Sequence, residues 1–449
     1  MRLNLILAVV VTVFVVSCKE KNYSKVTGNP ILYSKTVKKL NDIVLENNFP
    51  PMIAARNYAY ANIAAYECIV AGDSSYVTLS GQIKHLPAMP KPEAGKKIDF
   101  HLAALLAFTK VGNAVTFPEG SMMGYYDDLL EKADDAGVPD DVLENTKAFS
   151  DKVFNAIMDW SKKDNYAQTR SASKYTVTDE EGRWVPTPPS YTSALEAHWM
   201  EIRTLVLDSA GQCRPAPAPQ FNIKDTSSVF CRGAMEVKHV GDNLTEEEKH
   251  IADFWDDNPF KMNVSGHVMF ATKKFSPAGH WMNVVGIAAD KAKSDFNTTV
   301  YAYTKSSIAL FDGFISCWEE KFRSNVIRPE TVINKYFDPE WRPYIQTPPF
   351  PSYTSGHSVI SGSVAEVMTD IFGDNFNYTD TSETEFGIPE RSFTSFRQAA
   401  LEASWSRMYG GIHYRFDLEN GNKEGIEVGK IIVDRLRMRR NSGSVLTRN

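Results

Sequence analysis

Ile308-Ala309-Leu310-Phe311-Asp312-Gly313-Phe314-Ile315-Ser316-Cys317-Trp318-Glu319-Glu320-Lys321-Phe322 places Ile308, Phe311, Ile315, Trp318 and Phe322 at alternating spacings of three and four. That period lays one apolar stripe along one side of an α-helix. The spacing predicts a helix over 299–322, packed on its neighbours through that stripe. Helical periodicity recurs before it over 31–48, 52–71, 100–111 and 122–161, and after it over 357–372, 393–406 and 424–439. Two more helices are expected over 245–255 and 278–292, the first opened by Thr245-Glu246-Glu247-Glu248, whose carboxylates suit a helix N-terminus. Alternating strand patterns are scarce and there is no internal repeat. The fold class expected is therefore all-α, built of helical bundles, with the functional site in the core of the C-terminal bundle.

From about 163 to 238 the periodicity lapses, and Val185-Pro186-Thr187-Pro188-Pro189 and Arg214-Pro215-Ala216-Pro217-Ala218-Pro219 cannot continue helices. This reads as an irregular connection closing an N-terminal helical region, 19–244, before a C-terminal bundle, 245–449. Residues 1–17 pair Arg2 with a short apolar run and read as a signal peptide. The run ends in Val15-Val16-Ser17-Cys18, which resembles the lipobox of bacterial lipoproteins; the resemblance implies a lipid on Cys18 and an exported protein tethered to the cell envelope. No later stretch is long and apolar enough for a transmembrane helix.

The 449 residues are 43% hydrophobic, enough for a large core, and the formal net charge of -6 gives no general attraction to nucleic acid or anionic membranes. Any anion site must be a local cluster of basic residues. Of the cysteines after Cys18, Cys213 and Cys231 flank a loop-like segment and form a candidate disulfide, whereas Cys317 falls inside a helix as a small hydrophobe.

Three basic stretches stand out in the C-terminal half. Lys321 and Arg328 are seven residues apart where the helix runs out before Pro329, so both can point one way. Pro349-Phe350-Pro351-Ser352-Tyr353-Thr354-Ser355-Gly356-His357 then leads directly into a helix, whose first N–H groups and dipole favour an oxyanion, with His357 beside it. In Ser406-Arg407-Met408-Tyr409-Gly410-Gly411-Ile412-His413-Tyr414-Arg415-Phe416-Asp417 the glycines break a helix, so Arg407 and His413 can converge. Asp417 can hold the His413 Nδ1–H and leave Nε2 as a ligand or nucleophile. Taken singly, each stretch also reads as a solvated helix end, a helix cap or a structural histidine.

Together they resemble the signature of the vanadium haloperoxidases, bacterial acid phosphatases and lipid phosphate phosphatases, the type 2 phosphatidic acid phosphatase superfamily. That signature is K-x6-R-P, P-S-G-H and S-R-x5-H-x3-D, and Lys321, Arg328, Pro329, Ser355, Gly356, His357, Ser406, Arg407, His413 and Asp417 match it in order. At residue frequencies near 5%, ten matches arise by chance about once in 10¹³ placements. Thr354 departs from the pattern, standing where the family has proline, a change expected to alter loop stiffness more than chemistry.

The resemblance implies vanadate or phosphate as the bound oxyanion. Lys321, Arg328 and Arg407 would neutralise its equatorial oxygens, with Ser355 and the Gly356 N–H binding one of them. His413 would be the axial ligand of vanadium or a phosphatase nucleophile, and His357 the general acid and base. Chain size, the segment around Phe350, where algal bromoperoxidases carry histidine, and Trp318 one turn before Lys321 resemble the haloperoxidases, most of all the bacterial iodoperoxidases. Phe350 and Trp318 are also plain core candidates. The implied reaction is oxidation of halide, iodide first, by hydrogen peroxide to hypohalous acid, with Lys321 polarising the peroxide. A phosphohistidine-forming acid phosphatase is the alternative, and a non-catalytic nutrient-capturing lipoprotein a third. His267 and His280 are candidates for the cavity entrance, although structural roles suit both better.

Overall fold

The helix expected at 299–322 runs from Phe296 to Ser324 in the computed structural model, which describes residues 23–258, 261–265, 268–272 and 274–440. Asp295 caps it by accepting from the Thr298 N–H at 2.7 Å, and Asn325, in the left-handed region at φ 50°, ends it. Its stripe is buried as far as Trp318, with Phe322 half-buried, but so are Ala309, Leu310, Phe314 and Cys317 on its other sides. The helix is thus central, not one-sided, with N-terminal helices on one flank and the C-terminal bundle on the other.

The helices are α1 (Pro30–Glu46), α2 (Pro51–Gly72), α3 (Phe100–Val115), α4 (Met123–Asp135), α5 (Asp140–Ser161), α6 (Val229–Asp242), α7 (Glu246–Phe254), α8 (Pro277–Lys291), the central α9 (Phe296–Ser324), α10 (Pro329–Tyr336), α11 (Gly356–Phe372), α12 (Phe396–Tyr409) and α13 (Arg415–Arg435), together with shorter turns. The fold is all-α in character, as expected. The stretch 122–161 divides into α4 and α5 because Gly137, at φ 83°, and Pro139 interrupt it. α6 begins inside the stretch read as irregular, opened by the Ser228 hydroxyl accepting from the Cys231 N–H at 3.0 Å. Among the described residues the strands form two small antiparallel hairpins, β1 (Lys261–Ser265) with β2 (Val268–Thr272), register Lys261↔Thr272 to Ser265↔Val268, and β3 (Tyr378–Asp380) with β4 (Arg391–Phe393), register Tyr378↔Phe393 to Asp380↔Arg391.

The irregular connection is fixed to α9 by one buried carboxylate. Asp312 accepts the N–H groups of Leu205, Val206 and Leu207 at 2.7, 2.7 and 3.0 Å. Burial raises its pKa and the three N–H bonds oppose the rise. Cys213 and Cys231 are both free, which overturns the candidate disulfide. Cys213 lies in the main core around α9, while Cys231 sits on α6, whose neighbours Phe230 and Ala234 belong to a separate cluster with Tyr414. The signal peptide, Cys18 and His267 fall outside the described residues. None of the described helices is long and apolar enough to cross a membrane.

α11 and α13 are pressed together, and this contact sets the floor of the site. Gly421, Gly425 and Gly429 recur every fourth residue on the face of α13 that meets α11; a Cβ at Gly425 would stand 2.1 Å from the Val359 carbonyl oxygen. Such backbone proximity tolerates only glycine. Gly425→Ala is expected to cost about 3 kcal/mol, as overpacking does, read as a lowered midpoint in urea unfolding; an unchanged midpoint would contradict the close contact.

Candidate active site

Where α9 ends and α10 begins, the chain turns through Asn325 and buries both Lys321 and Arg328. Charged side chains are buried this way only with polar partners. The Lys321 ammonium donates to the carbonyls of Pro351, Ser352 and Thr354 at 2.9, 3.0 and 2.5 Å. Its donors are met by the loop before α11, and Lys321, like Arg328, sits behind the residues lining the cavity. Burial lowers its pKa to about 8. Arg328 donates from Nε to the Phe350 carbonyl at 2.8 Å and from Nη1 to the Ile412 carbonyl at 2.9 Å, with Nη1 also 3.1 Å from His413 Nε2. Burial brings its pKa down to about 9, so it stays cationic at neutral pH.

The loop 349–355 delivers the N-terminus of α11. The Ser355 hydroxyl accepts the Ser358 N–H at 3.3 Å, so it serves as the helix cap, while the Ser355 N–H donates to the Asp417 carbonyl at 3.1 Å. Gly356 opens the helix, and a Cβ there would meet nothing nearer than the Trp318 ring at 3.9 Å. Thr354 does more than set loop stiffness. Its hydroxyl donates to Glu424 at 2.7 Å, a buried carboxyl that Ser316 also serves at 2.7 Å and that burial pushes up to about 8. Proline at 354 would leave that oxygen without its donor.

α12 ends at Gly410, and Gly411, at φ 76°, turns the chain back so that His413 precedes the first turn of α13. Asp417, in that first turn, lies 2.8 Å from His413 Nδ1 and also receives the Ser352 hydroxyl at 2.5 Å and the Tyr414 N–H at 3.2 Å. With Nδ1–H donated to Asp417, the His413 lone pair is on Nε2. Burial, then Arg328, Lys321 and Arg407, hold His413 well below its usual pKa, so the ring is neutral. Arg407, on the last turn of α12, donates from Nη1 to the Trp255 carbonyl at 2.7 Å. His357 is 13% exposed, its Nε2 lying 3.5 Å from Asp257 Oδ2. Burial and the Arg407 charge push it down to about 4.

One cavity is lined by Trp318, Phe350, Gly356, His357, Arg407 and His413. Trp318 and Phe350 form its aromatic wall, with centroids 4.9 Å apart, and the Lys321 ammonium and Arg328 guanidinium each lie 5.1 Å from the centre of the Phe350 ring. Arg328 Nη2 and Arg407 Nε are buried without hydrogen-bond partners, and His357 Nε2 has only Asp257 Oδ2, at 3.5 Å. An unsatisfied buried polar group costs about 1–3 kcal/mol, so the two guanidinium nitrogens near His413 call for an acceptor with more than one oxygen. The arrangement suits binding of a tetrahedral oxyanion, with one neutral imidazole nitrogen directed at it and a second imidazole beside it.

Sequence reasoning missed Asp257, Ser352 and Glu424. The acidic pair Asp256-Asp257, just past α7 and ahead of Pro259, was the available signal for the first. His280 is not at the entrance. It is fully buried behind His357, stacked on Trp255 with centroids 4.6 Å apart, with Nδ1 2.9 Å from Asp257 Oδ1 and Nε2 3.0 Å from Asp380 Oδ2. Burial opposes its charge, but the two carboxylates outweigh burial and hold the ring protonated.

Residues 336–442 match the family model for the VCPO second helical-bundle domain. The crystal structure of the first bacterial vanadium-dependent iodoperoxidase is 43% identical in sequence, with a TM-score of 0.87 over 92% of this chain and 98% of that one. The holo and apo crystal structures of a bacterial vanadium-dependent chloroperoxidase, 16% and 15% identical, superpose with TM-scores of 0.64 and 0.63, over 86% of this chain in each case and 92% and 94% of theirs, and share the fold. A comparison with curated proteins gives no match.

Asp417 fixes which nitrogen of His413 faces the cavity. Asp417→Asn, with helix content checked by circular dichroism, is expected to weaken vanadate binding by about 10–100-fold, the usual effect of removing a carboxylate behind a ligating histidine. Calorimetric titration measures it, and an unchanged affinity would show that Asp417 does not orient the ring.

Proposed function

This chain belongs to the vanadium-dependent haloperoxidase family, and on that premise we propose that it oxidises iodide with hydrogen peroxide to hypoiodous acid, using vanadate held against His413. The observation that carries this reading is the meeting of His357, the neutral His413 imidazole and Arg407, whose Nε is buried and unpartnered, in one cavity, with the unpartnered Arg328 Nη2 next to His413. A tetrahedral oxyanion satisfies both guanidinium nitrogens, and the residues present fit the group. Vanadate would be held by His413 Nε2, Arg328, Arg407 and the N–H groups at the start of α11. When bound, it supplies Lewis-acid activation of hydrogen peroxide while keeping its oxidation state.

The protein's own part is positional and electrostatic. Arg328 and Arg407 offset the anionic oxygens in a site screened from water, where charge interactions are strong. Lys321 acts one step back, tying three carbonyls so that Ser355 and Gly356 present the helix N-terminus. Asp417 keeps the His413 proton on Nδ1. His357, neutral above about pH 4, is ready to take up a proton. With Nε2 turned to Asp257, Nδ1 is the nitrogen left to receive it from hydrogen peroxide. Charge on a bound oxyanion would raise the His357 pKa and ease that transfer.

Halide choice rests on the wall made by Trp318 and Phe350. A halide entering there sheds water against two aromatic rings, which disfavours the more tightly hydrated bromide and chloride. Iodide is both the least hydrated of the three and the easiest to oxidise. With vanadate-loaded protein, triiodide formation is expected to outrun bromination of a phenolic dye, and bromination as fast as iodide oxidation would overturn the preference. On the same sample, p-nitrophenyl phosphate hydrolysis abolished by vanadate would mark a phosphatase instead.

A further inference from the structure

Next to the oxyanion cavity is a second, buried group of ionisable side chains, of which the proposed reaction uses only Asp257, as the partner of His357. Asp257 follows α7, His280 is on α8, and Asp380 and Glu383 lie at and just beyond the end of β3. All four are buried. We propose that Asp257, His280 and Glu383 bind a structural divalent transition-metal cation, of the zinc or manganese kind, that anchors the carboxylate facing His357.

The donor atoms of the three residues are gathered around one point, more widely than in a filled site. His280 Nδ1 stands 2.9 Å from Asp257 Oδ1 and 3.7 Å from Glu383 Oε1, and one donor atom from each of the three residues lies within 4.8 Å of the others. Donors bound about 2.1 Å from a common centre sit roughly 3–3.5 Å apart. Glu383 supplies the independent sign of a ligand. Both of its carboxylate oxygens are buried without a hydrogen-bond partner, and its nearest cationic neighbour is the His280 ring. Leaving them so is costly unless a proton or a cation meets them.

The surroundings match a metal-bound histidine. A ligating imidazole almost always donates its other N–H to a carboxylate, a backbone carbonyl or water. Asp380 Oδ2 stands 3.0 Å from His280 Nε2, and Asp380 Oδ1 is itself held by the Ser382 N–H at 2.9 Å. Charge balances as well. The carboxylates of Asp257, Asp380 and Glu383 are offset by a dication and by Lys274, whose charge is felt at Glu383. Binding would displace the proton from His280 Nδ1 into solvent, the ordinary coupling of metal uptake to proton release. One imidazole among carboxylates suits zinc or manganese better than calcium or magnesium, which favour all-oxygen cages.

Asp257 joins the two sites. Its Oδ1 belongs to the cation group while its Oδ2 lies 3.5 Å from His357 Nε2. A cation on one oxygen would lock the carboxylate and, through it, the orientation of the imidazole at the cavity. Asp257 and His280 would be positioning residues with respect to the reaction.

The test uses full-length, vanadate-free protein, equilibrated with zinc or manganese chloride, passed into metal-free buffer and assayed for metal by mass spectrometry. Stoichiometric retention is expected in the wild type, with a thermal midpoint that falls on chelation and recovers on re-addition. Glu383→Gln should retain no metal, and its midpoint should ignore the chelator. Lack of retention by the wild type, or equal retention by Glu383→Gln, would overturn the proposal and leave an ion network of His280 with Asp257 and Asp380. Should Glu383→Gln fail to fold, wild-type crystals soaked in zinc chloride decide the matter. Anomalous density between residues 257, 280 and 383 supports the cation, and its absence refutes it. Neither readout depends on vanadium or on peroxidase activity.

Discussion

Three cationic side chains, Lys321, Arg328 and Arg407, are buried within reach of one neutral imidazole, and the rest of the C-terminal bundle is arranged around that fact. Like charges about 4 Å apart repel by on the order of 4 kcal/mol at an effective dielectric of 20, and burial adds to the cost. The chain offsets it with backbone carbonyls. Pro351, Ser352 and Thr354 serve Lys321, Phe350 and Ile412 serve Arg328, and Trp255 serves Arg407. Those carbonyls belong to three separate loops, so the cations also stitch the loops together. What the carbonyls leave unsatisfied, Arg328 Nη2 and Arg407 Nε, defines the ligand.

The supporting layer explains why the loops are where they are. The glycine face of α13 lets α11 approach at backbone distance, which places the start of α11 against the first turn of α13. There the Ser355 N–H meets the Asp417 carbonyl while the Asp417 carboxylate takes His413. One residue thus registers the anion-binding helix and sets the tautomer of the histidine. Beneath them, Glu424 links Ser316 of the central helix to Thr354 of the loop, both at 2.7 Å.

Much of this was legible in the sequence. Basic residues at fixed spacing, a hydroxyl and glycine ahead of a helical run, and paired glycines before a histidine are local patterns, and each led to an element near its expected place. What could not be read were partnerships between distant positions. Asp257 meets His357 across 100 residues, and Glu424 meets Thr354 across 70. Nothing local marks either carboxylate as buried. The stripe on the central helix was read as a single face because periodicity reports contrast, and Leu310 and Phe314 fall between its members. Proximity in sequence links Cys213 and Cys231 but says nothing about where they pack, Cys213 in the main core and Cys231 beside residues of a separate cluster. The charge of Lys321 is visible in sequence, whereas the three carbonyls that its ammonium meets are not.

The central claim is that His413 Nε2, Arg328 Nη2 and Arg407 Nε converge on one oxyanion. Diffraction from crystals soaked in orthovanadate tests it most directly. The account predicts tetrahedral or trigonal-bipyramidal density joined to His413 Nε2, with both guanidinium groups in hydrogen-bond contact with its oxygens. Vanadium bound elsewhere, or density at the cavity that leaves those two arginine nitrogens unpartnered, would contradict it.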